Sequence, residues 1–467
     1  MRIAKRLFTR GHSCLGILAV LIVWWLTAPT TVQAQTAGNK AVITTGGACC
    51  TSSTALIDAS VVSGTNICEQ IYNALQSVLN THMSPIIDAR GVNPIPACKS
   101  GETPWLQGGS NFNFSSTILL PAGTITISSA WIMPDGTKLI GEGSGMEVNP
   151  SSTGGTILQV PSTFSGTMIQ MGFNRTPSGY SSAPCPNSNI CRGISIEDLT
   201  LDGEGESGVN GILNSRSQEL SYVAHVKLYQ ILGAGLTVSG SAQNSGPYTN
   251  ITFDTGGIAP SSSTSCAQIE VSGTRGIHGL TCIAGSNGPT AAVYLDSSNN
   301  SIEDVIIEGF TDGIRVGSQA AAHSNVLLNI DGDNVPITQT QGPAPINVVH
   351  VTAGSVNDLS MMGIRHNSSS GLTIKDDLTT TNLSDPFVAM YALGEAGLGG
   401  SGYSRFTTSP NATAWAVGSS NPQPSGCATQ NLGSLYSSTV TGTGSLWVCE
   451  LTNAPGGGLV PTWVLVK

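Results

Sequence analysis

The chain has 467 residues, of which 57 are glycine, only 10% are charged and 5% are aromatic. This composition suits many short strands and turns, and it argues against a helical protein. The formal net charge of −10 argues against nucleic acid or an anionic membrane surface as the partner.

The first 34 residues have the layout of a secretory signal peptide. A basic start is followed by an apolar run from Leu15 to Leu26 and by the small-residue site Val32-Gln33-Ala34. The apolar run is shorter than the ~20 residues that a membrane-spanning helix needs. We therefore expect residues 1–34 to be removed. The remainder would be secreted, periplasmic or at the cell surface, without a membrane span; an uncleaved anchor is the alternative.

The cysteines favour disulfides over metal ligands, because ten of them, an even number, follow the predicted cleavage site. Short separations along the chain suggest three pairs, which are Cys185 with Cys191, Cys266 with Cys282, and Cys427 with Cys449. The pairing of the other four stays open: Cys49, Cys50, Cys68 and Cys98.

Residues 35–114 are predicted to form an N-terminal segment with a capping helix. Between Thr65 and Asn80, apolar residues recur at fourfold spacing, at Ile67, Ile71, Leu75 and Leu79. This spacing predicts an amphipathic helix that covers the first coil of the body that follows. A disulfide between Cys68 and Cys98 is one way to hold it there.

The centre of the chain repeats one unit. "SIEDLTLDG" from Ser195 returns as "SIEDVIIEG" from Ser301, 106 residues later, and weaker copies occur about every 27 residues. Aligned, the units give an apolar column at Leu199, Val226, Ile251, Leu280, Val305, Leu328 and Leu359. A second apolar column follows two residues later, at Leu201, Leu228, Phe253, Cys282, Ile307, Ile330 and Met361. The column between them is mostly polar, which predicts a half-buried strand in each unit.

A second strand in each unit, often introduced by glycine, completes the pattern; examples are "GLTVSG" from Gly235 and "GIRVGS" from Gly313. A repeat of about 27 residues accommodates three short strands and three turns. We therefore predict an all-β fold, a right-handed parallel β-helix over residues 115–378, in which coils stack into a single-stranded solenoid.

Polar residues mark one corner of each predicted coil. The position before the first apolar column holds Asp198, His225, Asn250, Gly279, Asp304, Leu327 and Asp358. Short polar side chains stabilise bends, so this column is interpreted as turn chemistry.

The stretch "STILLPAGTITISSAWIMPDGTKLIGEGSG", from Ser116 to Gly145, and the later "GISIEDLTLDG" resemble the pectate-lyase-superfamily domain of pectin-lyase-like β-helix proteins. The resemblance covers roughly residues 85–378. It implies the fold and a ligand groove along one parallel sheet, but it implies no reaction, since such proteins include lyases, glycoside hydrolases, epimerases and phage tailspikes. The catalytic motifs of polygalacturonases are not reproduced in order, so no catalytic residue is carried over.

The predicted groove follows the outward positions of the second strands. These positions are neutral in early units and become ionisable or aromatic in later ones, at Glu270, Tyr294, Asp296, Arg315, His350 and Lys375. Glu270 and Asp296 are expected to form a diagonal pair about 8 Å apart on adjacent coils. That separation is typical of the two carboxyl groups of an inverting glycosidase.

Two mechanisms fit these residues. In a hydrolase, Glu270 and Asp296 supply acid and base, Tyr294 stacks on a sugar, and Arg315 or Lys375 holds a uronate carboxylate. In a lyase, the same two acids hold Ca²⁺ while Arg315, His350 or Lys375 removes a proton. We take Glu270, Asp296, Arg315 and His350 as candidate catalytic residues and Tyr294 and Lys375 as substrate-binding ones. A solvent-facing sheet with scattered ionisable residues is the simpler alternative.

Two acidic stretches, "LDGEGESG" with Asp202, Glu204 and Glu206 and "NIDGDN" with Asp331 and Asp333, have too few ligands for an EF-hand loop. They are interpreted as polar turns, with Ca²⁺ binding as the alternative.

Residues 379–412 form a predicted Gly/Ser-rich linker. Residues 413–467 alternate like a small β module closed by Cys427 and Cys449. Its Trp447 and Trp463 fit a small core, or alternatively a carbohydrate-stacking surface.

Together these patterns and the resemblance imply an exported carbohydrate-active protein that cleaves an acidic polysaccharide of the pectin or uronate type, as a hydrolase or a lyase. The alternative is a non-catalytic β-helix for glycan binding or adhesion at the cell surface. Polysaccharide is the expected partner and Ca²⁺ the one cofactor that the residues suggest.

Overall fold

The structure is a computed structural model that describes residues 34–36, 41–44, 55–79, 84–144, 154–173, 183–185, 190–332, 345–352, 356–357, 359–366, 372–376, 389–391, 415–418, 435–438, 445–453 and 459–466. The predicted signal peptide and linker lie outside these residues, apart from Ala34 and the strand at Ala389–Tyr391.

The body of the chain is a parallel β-helix, as predicted. The strands belong to one hydrogen-bonded system of 24, and from Ala55–Asp58 onward each strand pairs in parallel with a strand of the next coil. The winding produces three faces, which we call sheets A, B and C. The three strands per coil that the repeat length predicts are present.

Sheet A contains the first strand of each coil. Its separate strands are Ala55–Asp58, Ile86–Asp88, Thr117–Leu119, Lys138–Ile140, Ser360–Met362 and Ala389–Tyr391. Six longer strands start in sheet A and bend into sheet B: Ser195–Asp202, Tyr222–Tyr229, Tyr248–Asp254, Ile277–Leu295, Ser301–Val316 and Val326–Gly332.

Sheet B adds Gly123–Thr126, Thr156–Gln159 and Arg365–His366 to the second halves of those long strands. Sheet C contains the last strand of each coil: Trp131–Met133, Gly166–Met171, Val209–Asn214, Ala234–Val238, Ser265–Ile269, the ends of Ile277–Leu295 and Ser301–Val316, Asn347–Val351 and Leu372–Asp376.

The remaining strands are short or separate. Ala34–Thr36 and Ala41–Thr44 add antiparallel strands before Ala55–Asp58, and two small pairs join Leu106–Gln107 with Ser110–Asn111 and Ala322–His323 with Val356–Asn357. The predicted C-terminal β module is a four-stranded sheet of Trp415–Gly418, Leu435–Ser438, Ser445–Asn453 and Leu459–Val466. In it Trp447 and Trp463 are both half-buried.

The coils enclose one continuous apolar interior that extends from Ala55 to Ile364. Leu199, Val226 and Ile251 lie one above another and are at most 1% exposed. A strand with one buried face cannot hide its apolar side chains alone, so each coil is stabilised by the coils stacked on it.

The predicted register is correct through five units and wrong in the last two. Ile330, rather than Leu328, pairs with Val305, and Leu328 faces outward. In the seventh unit Met361 pairs with Leu327, so neither Leu359 nor Met361 occupies its predicted column. Because side chains alternate with a period of two, a strand that is apolar on both faces fits more than one register.

The corner column is a series of left-handed residues between sheets A and B. Asp198, His225, Asn250, Gly279 and Asp304 all have φ between 51° and 73°. Leu327 is wrong as the sixth member, since it is buried in the interior and Asn329, with φ 52°, forms the corner instead. Gly363, with φ 72°, continues the column, and Asp358 lies outside the described residues.

The predicted capping helix is present as Ile67–Gln76, after a 3-10 turn at Ala59–Val61. The Asn66 side chain accepts a hydrogen bond from the Glu69 N–H and so caps the helix. Ile67, Ile71 and Leu75 are fully buried, whereas Leu79 is 47% exposed.

Three disulfides join Cys68 to Cys98, Cys185 to Cys191 and Cys266 to Cys282. The last two confirm predicted pairs, and the first fixes the helix next to the coils. Cys449 is also disulfide-bonded. Its predicted partner Cys427, together with Cys49 and Cys50, lies outside the described residues.

Candidate functional site

The outward face of sheet C brings together the residues predicted from the second strands. The strand register places Thr237, Gln268, Tyr294, Arg315, His350 and Lys375 in one row, one residue per coil. Neighbouring coils are about 4.8 Å apart. The side chain of Lys375 lies outside the described part of the structure.

Glu270 and Asp296 form a second row beside the first. Each follows a directly paired residue, Ile269 or Leu295, so they are in-register neighbours, with backbones about 4.8 Å apart. The predicted diagonal separation of about 8 Å is therefore wrong. The error arises because the strand begins at Ser265, which puts Gln268 rather than Glu270 beside Tyr294.

The two carboxyl groups have different surroundings. Asp296 is only 5% exposed, and its carboxylate accepts hydrogen bonds from the Ser318 hydroxyl at 3.0 Å and the Gln319 N–H at 2.9 Å. Glu270 is exposed at the surface of the sheet. Partial burial, and then the negative charge of Asp296, raise the pKa of Glu270 above its ordinary value. Glu270 is thus the carboxyl group of the pair that is better suited to carry a proton.

A third row contains a residue that the sequence analysis missed. Asp312, at the start of its sheet C strand, is 1% exposed, and three side chains bind its carboxylate. The Arg315 Nε donates at 2.8 Å, with a second bond from an Arg315 terminal nitrogen. Asn347 donates at 2.7 Å, and His350 Nδ1 lies 2.8 Å away.

These contacts determine the charge state of Asp312. Burial acts to raise its pKa, but the hydrogen bonds from Asn347, His350 and Arg315, with the positive charge of Arg315, outweigh burial and lower the pKa below the ordinary value. Asp312 is therefore a buried carboxylate that stays ionised.

The arrangement around Asp312 follows a local rule of this sheet. In three successive coils, the side chain in the first row reaches the residue three positions earlier. Gln268 donates to the Ser265 hydroxyl at 2.9 Å, the Tyr294 hydroxyl accepts from the Ala291 N–H at 3.3 Å, and Arg315 donates to Asp312. The i−3 spacing is the sequence signal that would have identified Asp312.

Tyr294 and Arg315 are also in contact across adjacent coils. The guanidinium carbon of Arg315 lies 5.6 Å from the centroid of the Tyr294 ring, within the range of a cation–π interaction. The Arg315 side chain is 23% exposed. Tyr294, Arg315, Glu270 and Asp296 thus present an aromatic ring, a cation and two carboxyl groups on one face.

Sheet B carries a separate ion pair. Lys227 Nζ lies 3.4 Å from Asp254 Oδ2 and 5.1 Å from the Tyr229 ring centroid. Asp254 and Asp312 are both outward-facing aspartates paired with a cation, so a substitution of Asp254 is a suitable control for the same substitution of Asp312.

The stretch with Asp202 has turn geometry. Asp202 accepts hydrogen bonds from the Glu204 N–H at 3.0 Å and from the Gln159 amide at 3.2 Å, and burial raises its pKa. Among the described residues, no group of three or more His, Cys, Asp or Glu side chains is arranged to hold a metal ion. Asp333 lies outside them.

No helix within the described ranges is long and apolar enough to cross a membrane.

No protein-family model and no curated protein matches the chain. Several solved structures are similar to it. An endo-xylogalacturonan hydrolase from Aspergillus tubingensis is 13% identical, with 73% of this chain and 90% of that chain covered and a TM-score of 0.32. The A-module of a mannuronan C-5 epimerase from Azotobacter vinelandii is 13% identical, and the match covers 72% of this chain and 97% of that chain with a TM-score of 0.29. The Dettilon tailspike protein is 8% identical, and the match covers 69% of this chain and 68% of that chain with a TM-score of 0.31.

The parallel β-helix of this chain is established by its own strand register.

Proposed function

We propose that the chain binds an acidic, uronate-type polysaccharide across the coils of sheet C and hydrolyses it, with Glu270 as the proton donor. The observation that carries the proposal is the pair Glu270 and Asp296. They are in register on adjacent coils, and their surroundings favour a proton on Glu270. Glycoside hydrolysis requires such a pair of carboxyl groups with separate roles.

The spacing of the pair favours a retaining mechanism over the inverting one expected from the sequence. The backbones of the two residues are about 4.8 Å apart, and parallel side chains on such backbones suit the roughly 5–5.5 Å between the carboxyl groups of retaining enzymes better than the 6.5–9.5 Å of inverting ones. In this mechanism Asp296, oriented by Ser318 and Gln319, attacks the sugar while Glu270 protonates the leaving oxygen. The ionised Glu270 then takes a proton from a water molecule that attacks the same sugar carbon, which breaks the bond to Asp296 and restores both carboxyl groups.

Two contacts favour hydrolysis over elimination. A lyase needs a base next to the uronate carboxylate, but the Arg315 guanidinium is a donor without an acceptor atom, and two of its nitrogens donate to the buried Asp312. The other described candidate base, His350, directs Nδ1 at the same carboxylate. Ca²⁺ takes six to eight oxygen ligands, and the oxygens of Asp296 already accept hydrogen bonds from Ser318 and Gln319.

Tyr294 and Arg315 supply the binding surface in this proposal. The tyrosine ring stacks on a sugar, and the guanidinium binds the carboxylate of a uronate. Export belongs to the proposal as well, because disulfides form in oxidising compartments such as the periplasm and the extracellular space.

The test is a screen of the full chain, expressed with its own leader, against polygalacturonate, pectin, alginate and rhamnogalacturonan. We expect new reducing ends without unsaturated uronates, and loss of turnover by at least about a hundredfold in Glu270→Gln. The matched control is Glu303→Gln, which changes an outward-facing glutamate on sheet A and should retain full activity.

Other results would contradict parts of the proposal. Unsaturated products would identify a lyase, and full activity in Glu270→Gln would remove Glu270 as the proton donor. Retention of polysaccharide without any product would support the glycan-binding alternative.

A further inference from the structure

We propose that Asp312 is a positioning residue, which holds the Arg315 guanidinium against the Tyr294 ring so that its remaining edge binds the carboxylate of an acidic sugar. This inference rests on the proposed function and adds a residue that makes the site selective for charged over esterified polymer.

The first step of the argument is that Arg315 is held in place from one side. Its Nε and one terminal nitrogen donate to the same oxygen, Asp312 Oδ2. That oxygen belongs to a side chain that is 1% exposed and is further fixed by Asn347 and His350. Asp312 therefore offers a rigid anchor, and Arg315 does not need to lose rotamer freedom when a ligand binds.

The second step is that part of the guanidinium stays available. It has five N–H hydrogens, and Asp312 is its sole hydrogen-bond acceptor among the described residues. The side chain is 23% exposed, and the centroid of the Tyr294 ring lies 5.6 Å from its guanidinium carbon. The unused N–H groups lie in the plane of the guanidinium, which suits a planar carboxylate.

The third step is that the burial of Asp312 prevents it from taking part in the chemistry directly. A 1%-exposed carboxylate whose hydrogen-bonding capacity is satisfied by Arg315, Asn347 and His350 does not reach a sugar. Its effect on the substrate passes through Arg315, so removal of Asp312 should change the affinity for charged sugar rather than the rate of bond cleavage.

The test measures binding in a Glu270→Gln background, where turnover is blocked, by calorimetric titration with a galacturonate oligosaccharide and with its methyl-esterified form. We expect Asp312→Asn to weaken binding of the charged oligosaccharide about tenfold and to leave that of the esterified form unchanged. In an Arg315→Ala background, Asp312→Asn should have no further effect. Asp254→Asn, on sheet B, is the matched control and should leave both affinities unchanged.

Arg315→Lys gives an independent test if Asp312→Asn does not fold. A lysine keeps the charge but not the forked contact with Asp312, so a similar loss of affinity for the charged form is expected. Full affinity in Arg315→Lys would contradict the inference. Equal weakening of charged and esterified ligands by Asp312→Asn, or weakening that persists without Arg315, would also contradict it.

Failure of this inference can be told apart from failure of the proposed function. Selective binding through Arg315 and Asp312 without any cleavage would overturn the hydrolase and support the inference. Cleavage by the parent protein, together with unaltered affinity in Asp312→Asn and Arg315→Ala, would support the hydrolase and overturn the inference. An absence of binding of the galacturonate oligosaccharide to the parent protein would overturn the inference.

Discussion

At the scale of single residues, the site depends on two carboxyl groups that differ in their surroundings. Hydrogen bonds from Ser318 and Gln319 orient Asp296, whereas Glu270 lies at the edge of the sheet beside that negative charge. A negative neighbour disfavours the ionised form of Glu270, so the proton is retained to higher pH than on an isolated glutamate. The role of each residue follows from its neighbours rather than from its residue type.

We therefore predict that Asp296→Asn lowers the pKa of Glu270, because it removes the charge that opposes ionisation. Burial still raises the pKa in the variant, so the pKa should fall only part of the way to the ordinary value of about 4.3. A carbon-detected NMR titration of the Glu270 carboxyl group measures the shift without relying on turnover. Asp304→Asn, at the corner of sheets A and B, should leave the titration unchanged. An unaltered Glu270 pKa in Asp296→Asn would show that the two groups do not interact.

Some of these residues were predictable from the sequence and one was not. Tyr294, Arg315 and His350 stand out because ionisable or aromatic residues recur at outward positions of successive strands. Asp312, in "TDGIRV", has the appearance of a turn acid at the start of a strand. Its role depends on its burial and on its contacts with neighbouring coils, so the i−3 spacing from Arg315 is the one signal for it that the sequence carries.

At the scale of elements, the corner between sheets A and B is built from single left-handed residues stacked coil upon coil. Such a residue turns the chain from sheet A into sheet B without a loop. The strands of adjacent coils therefore keep the same register on both sides of the corner. Asn and Asp tolerate this conformation better than other non-glycine residues, and they occupy several corners of this column. The sequence analysis identified the column because its members are short and polar, and failed at Leu327, where three successive apolar residues, Val326–Leu328, obscure the alternation.

Gly279 offers a test of this corner. Its φ is +73°, and an added Cβ would lie 2.7 Å from the Asn250 side-chain oxygen on the neighbouring coil. We predict that Gly279→Ala lowers the free energy of unfolding by about 1–2 kcal/mol, measured by chemical denaturation. Gly154→Ala is the matched control, because a Cβ at Gly154 meets no atom within 4 Å. Equal stability of the two variants would argue against a strained corner at residue 279.

At the scale of the whole molecule, stacking decides both stability and function. Each coil buries its apolar columns only against its neighbours, and the same stacking places Glu270, Tyr294, Asp296 and Arg315 on three successive coils of sheet C. A candidate site assembled from several coils suits a polymeric ligand, since successive sugars can contact successive coils. The sequence predicts this architecture well because two apolar columns repeat through five coils. It predicts the site less well. The sequence alignment of one strand was wrong by two residues, so it placed Glu270 in the row of Tyr294 instead of the row of Asp296.

The most direct test of this account is a crystal structure of the Glu270→Gln variant with a galacturonate oligosaccharide bound. We predict that the sugar lies across the coils of sheet C. A glycosidic oxygen would lie next to residue 270, one ring on Tyr294 and a carboxylate on Arg315. An oligosaccharide bound on sheet A, on sheet B or on the C-terminal module, with sheet C empty, would contradict the account.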